Sequence, residues 1–479
     1  MNNRVNGGKP HLYLQVAEKI SKLIDQGTLR PGERVPSVRK LNAQLGVSVS
    51  TVLQSYFLLE DKGIIESRPK SGFYVRLRKR ELPPEPNISS PSVSACRVDV
   101  NELAAEVHVT IMNPDCIPLG TATPSDDLLP TRKLNRLMAT LARREEGMNN
   151  GYELPQGNAE LRRQIARRSL DWGCHLSSDD ILTTFGCTEA LNLCLRAVTK
   201  PGDTVAVESP TYFGLLQILE SLNLKALEIP TCPREGISLE GLETAIKKDK
   251  IAACVIVANF HNPLGSCMSD KDKKAIVELL GGKGIPLIED DIYGDLHFGA
   301  ERPKALKSYD KNGLVLLCSS FSKTLSPGYR VGWTSPGKFM SQVLRLKLSN
   351  SITTSTLPQM AIAAFLQNGG YDHYLRQVRK ALSHQVDVMT QAIGKYFPEG
   401  TKVTRPMGGF VLWVEFPKSV DAMELYRAAM EKKISCVPGP MFSPKRQYQH
   451  FIRLNCGYPW SERIERGMTT LGQIAAKMA

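Results

Sequence analysis

The sequence has no apolar run approaching the roughly eighteen residues that a helix needs to cross a bilayer. Met1 to Pro10 is polar and lacks the apolar stretch of a signal peptide. The eleven cysteines are scattered, with no Cys-x-x-Cys pair, and the histidines form no cluster at zinc-ligand spacing. No segment repeats. These absences argue against a membrane protein, a disulfide scaffold, a zinc module and a repeat array. They predict a cytoplasmic protein whose cysteines are reduced core residues.

What is present is a chain of 479 residues, 42% hydrophobic and 23% charged, enough for two or three globular units. Its charge is unevenly placed. Residues 1–80 hold fifteen Lys/Arg against six Asp/Glu, most of the net +13. A short basic segment suggests a polyanion partner, nucleic acid first. The plainer alternative is a solvated surface running into a basic linker start at Arg76, Arg78, Lys79 and Arg80.

Between His11 and Asp25, Leu12, Val16, Ile20, Leu23 and Ile24 recur at helical spacing. Gly27 to Gly32 breaks the pattern. A second helix is predicted from about Ser37 to Leu45. Gly46 then turns the chain into a third, which Ser48 caps and which runs to Lys62. Ile64–Val75 alternates around Pro69-Lys70-Ser71-Gly72, as a β-hairpin does. Three helices and a hairpin read as a winged helix-turn-helix over residues 1–76.

In such a motif the start of the second motif helix enters the major groove. Here it presents Ser48, Val49, Ser50 and Thr51. Arg34 and Arg39 would lie along the phosphate backbone, and Lys70 and Gly72 at the hairpin tip would approach the minor groove. Taken singly, Ser48 reads equally as a cap and Arg39 as a solvated residue. Together they point to a double-stranded DNA operator. The stretch Leu29-Arg30-Pro31-Gly32-Glu33-Arg34-Val35-Pro36-Ser37-Val38-Arg39, followed by Gly46-Val47-Ser48-Val49-Ser50-Thr51-Val52, resembles the GntR winged-helix domain. It departs where many relatives carry recognition-helix arginines and this chain has Val49 and Leu53. Contact with thymine methyls is the alternative there, so base preference does not carry over.

Residues 77–105 change character. Glu81-Leu82-Pro83-Pro84-Glu85-Pro86 and Ser89-Ser90-Pro91-Ser92 predict an extended linker. Beyond it, over 106–479, apolar runs at Thr204–Glu208, Ala253–Ala258, Pro286–Glu289 and Leu314–Cys318 alternate with helical segments. That pattern predicts an α/β fold with a mostly parallel sheet covered on both faces.

The strongest chemical signal is Ser319-Ser320-Phe321-Ser322-Lys323-Thr324-Leu325-Ser326-Pro327-Gly328-Tyr329-Arg330, directly after one of those runs. A partly buried lysine with a lowered pKa can condense with an aldehyde. Ser320, Ser322 and Arg330 are suited to holding a phosphate. Other segments add to this. Ile288-Glu289-Asp290-Asp291-Ile292-Tyr293 ends an apolar strand in acids, and a carboxylate there can keep a pyridinium nitrogen protonated. Tyr293 and Asn262 could reach a ring oxygen, and Tyr212 could stack on the ring. Gly186-Cys187-Thr188, opening a helix, offers amides to a phosphate. Arg453 can bind a carboxylate with its fork. Each has an ordinary structural reading: Asp290 as a helix cap, Tyr212 as packing, Arg453 as a salt bridge. Their order along the chain is what carries weight.

That order resembles the fold-type-I aminotransferases over about residues 110–475. The resemblance implies pyridoxal 5'-phosphate as cofactor and Lys323 as the catalytic aldimine lysine. It makes Asp290 the partner of the pyridine nitrogen, Asn262 and Tyr293 the ring-oxygen ligands, and Tyr212 the stacking aromatic. Gly186, Cys187, Thr188, Ser320, Ser322 and Arg330 fall in the phosphate cup. Tyr152 matches a tyrosine reaching the neighbouring subunit's phosphate, and Arg453 and Gly120 the substrate-carboxylate contacts. A smaller C-terminal α+β subdomain is implied as well. Cys187 departs from the more usual Ser or Ala, and Leu264 departs within the Asn-Pro-x-Gly turn.

A GntR-like head on such a body resembles the MocR subfamily of transcription regulators. The resemblance implies a head-to-tail homodimer whose body senses an amine, an amino acid or the cofactor itself. The alternative is an aminotransferase converting α-amino acids to keto acids, with an accessory DNA-binding domain. A lyase or decarboxylase on the same fold is a more distant third.

Overall fold

Ser37 and Ser48 set the geometry of the N-terminal unit. The Ser37 hydroxyl accepts the Lys40 amide at 3.3 Å and caps the helix Val38–Leu45. The Ser48 hydroxyl accepts the Thr51 amide at 3.1 Å and caps Val49–Asp61. Gly46, between these helices, has φ +64, a left-handed conformation that costs glycine little. A first helix, Leu12–Asp25, packs on the third, and Ile65–Arg68 pairs antiparallel with Gly72–Val75. Val16, Ile20, Val52, Tyr56, Leu59, Ile65 and Val75 form one buried core with Ile24 packed against it, whereas Leu12, read from the sequence as part of the same apolar face, is exposed. The result is a winged helix-turn-helix.

The computed structural model describes residues 12–25, 28–29, 32–68, 71–75, 82–92, 94–144, 151–367 and 369–479. Lys70, expected at the hairpin tip, lies outside them. The chain divides into two units, Met1–Leu82 and Pro83–Ala479.

In the second unit, a nine-stranded sheet runs from edge to edge as Cys96–Arg97, Lys225–Cys232, Thr204–Ser209, Ile251–Ile256, Leu287–Asp290, Val315–Ser320, Gly332–Ser335 and Leu182–Thr184. Gly236–Ile237 pairs beside Lys225–Cys232. The five central strands, from Lys225–Cys232 to Val315–Ser320, pair in parallel. Every residue of Leu287–Asp290 and Val315–Ser320 is buried, which is why each begins as an apolar run with no alternation before its polar end, Glu289-Asp290 or Ser319-Ser320. In open sheets of this kind ligands bind beyond the carboxyl ends of the strands. Asp290 and Ser320 are those ends, on adjacent strands, and Lys323 follows three residues on.

Toward the C-terminus, Lys402–Val403, Val411–Glu415, Phe451–Asn455 and Val437–Pro438 form a four-stranded antiparallel sheet. It packs with the helices Gly370–Tyr396, Ala422–Glu431 and Glu462–Met478. Among the described residues, no helix is long and apolar enough to cross a membrane.

The segment expected to be linker behaves differently from Pro83 onward. It is extended, as its prolines require, but it is tied down. The Val403 amide donates to Pro84, and Glu85 accepts from Arg234 and from the Arg405 amide. Ser89 and Thr231 exchange hydrogen bonds, and the Lys445 ammonium holds Ser92. Cys96–Arg97 then joins the edge of the large sheet, and Asn101–Ile111 is helical.

Candidate functional site

One cavity of about 160 Å³ opens at the carboxyl ends of the central strands, comparable to a cavity that takes a single aromatic ring. Cys187, Thr188, Tyr212, Asn262, Asp290, Tyr293, Ser320, Ser322, Lys323 and Arg330 all line it. The structure thus brings together residues spread over more than a hundred positions of sequence.

The Lys323 ammonium donates to the Ala122 carbonyl at 2.7 Å. Its pKa is pushed down to about 8, first by burial and then by the charge of Arg453, with Asp290 pulling the other way. Across the cavity, burial raises Asp290 to about 6, and hydrogen bonding from Cys187 opposes that rise. The Cys187 sulfur lies 3.3 Å from Asp290 Oδ1. Tyr293 hydrogen-bonds Asn262 and stands edge-on to Phe410, and burial raises its phenol. Burial likewise raises the Tyr212 phenol.

The anion end is built on close backbone approach. Gly186 opens the helix Gly186–Val198 with φ +76, and a Cβ there would meet the Arg330 guanidinium at 2.7 Å. A Cβ on Gly332 would meet the Gly186 backbone at 2.4 Å. Neither glycine tolerates a side chain. Arg330 donates to the Phe185 carbonyl at 3.2 Å, which holds a cation beside the helix N-terminus. The helix N-terminus and this guanidinium together are suited to hold a phosphate. The Ser320 hydroxyl accepts the Ser322 amide at 3.2 Å.

At the other end, Arg453 is fully buried on Phe451–Asn455. It donates to Asn262 Oδ1 at 3.3 Å and to the Gly120 carbonyl, while its Nε has no partner among the described residues. Gly120 thus meets the site through its carbonyl, and its amide is occupied by Ser435. Tyr152 is not in the cavity; it is 86% exposed. Ala122, Leu191, Val257 and Ile292 also line the site and were not anticipated from the sequence. Ala122 acts through a backbone carbonyl, which no side-chain pattern reports.

These features fit pyridoxal 5'-phosphate. A lysine with a lowered pKa faces a buried acid across a ring-sized space, with a glycine-lined anion cradle beside them.

In the N-terminal unit the expected contact residues fall in two groups, one at the start of the third helix and one where Arg34 meets the hairpin. The Ser48 hydroxyl is 2.8 Å from both the Ser50 and Thr51 hydroxyls. Val49 is 46% exposed, and Arg39 is exposed on the preceding helix. Arg34 bridges to Tyr74 of the hairpin, and its guanidinium packs against Gly72.

Fold and pocket together define a fold-type-I pyridoxal-phosphate domain joined to a winged-helix head. Residues 114–470 match the model of aminotransferase class I and II, and residues 12–75 that of the gntR family of bacterial regulatory proteins. The HTH-type transcriptional regulator YdcR of Escherichia coli is 40% identical over 96% of this chain and 98% of its own. Among solved structures, a kynurenine aminotransferase from Pyrococcus horikoshii aligns at 28% identity with TM-score 0.73, over 80% of this chain and 95% of its own. The α-aminoadipate aminotransferase LysN from Thermus thermophilus aligns at 25% identity with TM-score 0.72, over 80% and 99%. The chain belongs to the GntR-headed, aminotransferase-like transcription regulators, the architecture of the MocR subfamily. It is a DNA-binding regulator, and its cofactor is pyridoxal 5'-phosphate.

Proposed function

We propose that the body of this regulator is a sensor, and that the ligand it reads is an amino acid or a related amine. The observation that carries this is Arg453. A buried guanidinium with an unpartnered Nε, beside the amine-bearing Lys323, suits a ligand that has both a carboxylate and an amine. Bound pyridoxal phosphate supplies an aldehyde that exchanges one amine for another and a ring that withdraws electrons.

The chain's own groups have distinct tasks. Lys323 is the amine that would hold the cofactor's aldehyde, and it would be displaced by an effector amine. Asp290 pairs with the ring nitrogen, Asn262 and Tyr293 with the ring oxygen, and Tyr212 covers the ring. Gly186, Cys187, Thr188, Ser320, Ser322 and Arg330 hold the phosphate. Arg453 positions the effector carboxylate; Gly120, whose carbonyl accepts from that guanidinium and whose amide is held by Ser435, acts only by orienting Arg453 and does not meet the carboxylate as the resemblance implied. Residues 1–76 read the operator, with Ser48, Ser50 and Thr51 at the bases and Arg34, Arg39, Lys70 and Gly72 at the backbone and minor groove. Residues 106–479 form the sensor, and 77–105 join the two. The protein works in the cytoplasm as a head-to-tail homodimer, with Tyr152 completing the partner's site. Its exposure supports that reading.

A second reading, an aminotransferase with an accessory head, is favoured by the same pocket, since Lys323, Asp290, Asn262, Tyr293, Tyr212 and Arg330 all line it and Arg453 donates to one of them, Asn262. Operator binding measured with and without pyridoxal phosphate, across a panel of amines, separates the two. A sensor responds; an enzyme turns over and does not.

A further inference from the structure

Cys187 is the point at which the two ends of the cofactor pocket meet. Its backbone lies in the first turn of Gly186–Val198, the helix whose N-terminus forms the anion cradle. Its side chain turns the other way and reaches the floor acid, with the sulfur 3.3 Å from Asp290 Oδ1. Both residues are nearly buried, at 6% and 8% exposure, and both face the cavity. Burial raises the Cys187 thiol well above its ordinary value, so it keeps its proton and donates. No other hydrogen bond of this sulfur is seen among the described residues. The neighbouring thiols are differently engaged. Cys194 and Cys318 lie 3.6 Å apart, and both approach Thr334.

We propose that Cys187 is a positioning residue for pyridoxal phosphate, its thiol fixing one Asp290 oxygen so that the other stays directed into the pocket. The carboxylate of Asp290 stands buried at a strand end, where the Ile292 amide and the Cys187 thiol are its hydrogen-bond donors. The thiol is the side-chain donor of the two and sets the direction of Oδ1. Because the donor is carried by the cradle helix, the acid and the anion site keep a constant separation. An alanine would preserve the backbone of the cradle and lose the link. A serine would keep a donor at the same place, shorter by the difference between oxygen and sulfur. The inference rests on the cofactor assignment, which Lys323→Ala tests independently.

The experiment titrates pyridoxal phosphate into the cofactor-free full-length protein and into four variants, recording affinity and visible spectrum. Cys187→Ala is expected to weaken binding about fivefold and to move the visible band, with Cys187→Ser restoring both. Asp290→Ala weakens binding further, and adding Cys187→Ala to it changes nothing more, because the thiol then has nothing to hold. Independent, additive losses in the double variant overturn the proposal, as does a serine variant that behaves like alanine. Should Cys187→Ala not fold, the S–H stretch of the wild type, assigned by difference from Cys187→Ser, carries the test. It moves to higher frequency in Asp290→Ala if the acid accepts, and an unmoved stretch overturns the proposal. If no protein, wild type included, binds pyridoxal phosphate, it is the cofactor assignment that fails.

Discussion

The Lys323 ammonium and the Ala122 carbonyl are 2.7 Å apart, and they belong to segments separated by two hundred residues. That hydrogen bond holds the amine over the cavity before any ligand arrives. With a pKa near 8, set chiefly by burial, the lysine gains its neutral form as pH rises through that value. Only the neutral amine attacks an aldehyde. Uptake of pyridoxal phosphate by the cofactor-free protein therefore accelerates with pH. It slows about tenfold per unit on the acid side, where the neutral fraction falls in that proportion. Stopped-flow absorbance across pH 6 to about 9 measures this. Lys323→Ala loses the visible band while keeping its melting transition, and a band that persists would place the reactive amine on another lysine.

The head should supply the DNA affinity. Binding to an operator weakens steeply with salt, with a log–log slope of about −0.9 per phosphate contact. Arg39→Ala reduces affinity for all sequences alike, whereas Ser50→Ala alters base preference. Both residues are exposed and neither belongs to the head's core, so neither variant should lower stability appreciably. A protein lacking residues 1–76 that still binds the operator with full affinity would reverse the division of labour.

Much of this was legible in the sequence because the chemistry is carried by side chains at strand ends. Asp290, Ser320 and Lys323 could be placed from apolar runs alone, since a strand buried on both faces has no alternation to confuse its end. The capping roles of Ser37 and Ser48 were likewise local and visible. What escaped was non-local. Glu85 looks like one more residue of a proline-rich linker until Arg234 and the Arg405 amide are brought to it by the fold. Ala122 contributes only a carbonyl, and the Cys187–Asp290 contact spans 103 positions. Tyr152 is exposed and stands outside the cavity, so no contact within the chain gives its task.

Tyr152 gives the dimer a direct test. Protein carrying Tyr152→Phe is mixed with protein carrying Lys323→Ala and allowed to exchange subunits. If Tyr152 serves the partner's site, each heterodimer holds one site with both lesions and one with neither. Cofactor binding in the mixture should then exceed that of either parent, reaching one intact site per heterodimer. A mixture no better than the average of its parents would show that each site is built from a single chain.

The last expectation concerns coupling between amine and operator. An effector amine that takes the place of Lys323 frees that side chain and loads Arg453 with a carboxylate, so contacts on both sides of the cavity change together. Arg453 lies on the smaller antiparallel sheet and Lys323 beyond the large one, and a shift between these parts is the movement such an exchange can drive. In a dimer, a change in the body alters how two heads meet two half-sites, where small differences in spacing have large effects on joint binding. Linkage requires reciprocity: operator DNA must change amine affinity by the factor by which amine changes operator affinity. Coupling of about 1–3 kcal/mol corresponds to roughly 5- to 150-fold in either titration. Lys323→Ala should keep its affinity for the operator and lose the normal amine response, because the exchange that drives the change has been removed. Where the coupling acts on promoter architecture, it appears in transcription as well, so both are measured. Fast transamination of an amino acid with a keto acid, together with no effect of any amine or of pyridoxal phosphate on operator binding or transcription, would replace the sensor with an enzyme.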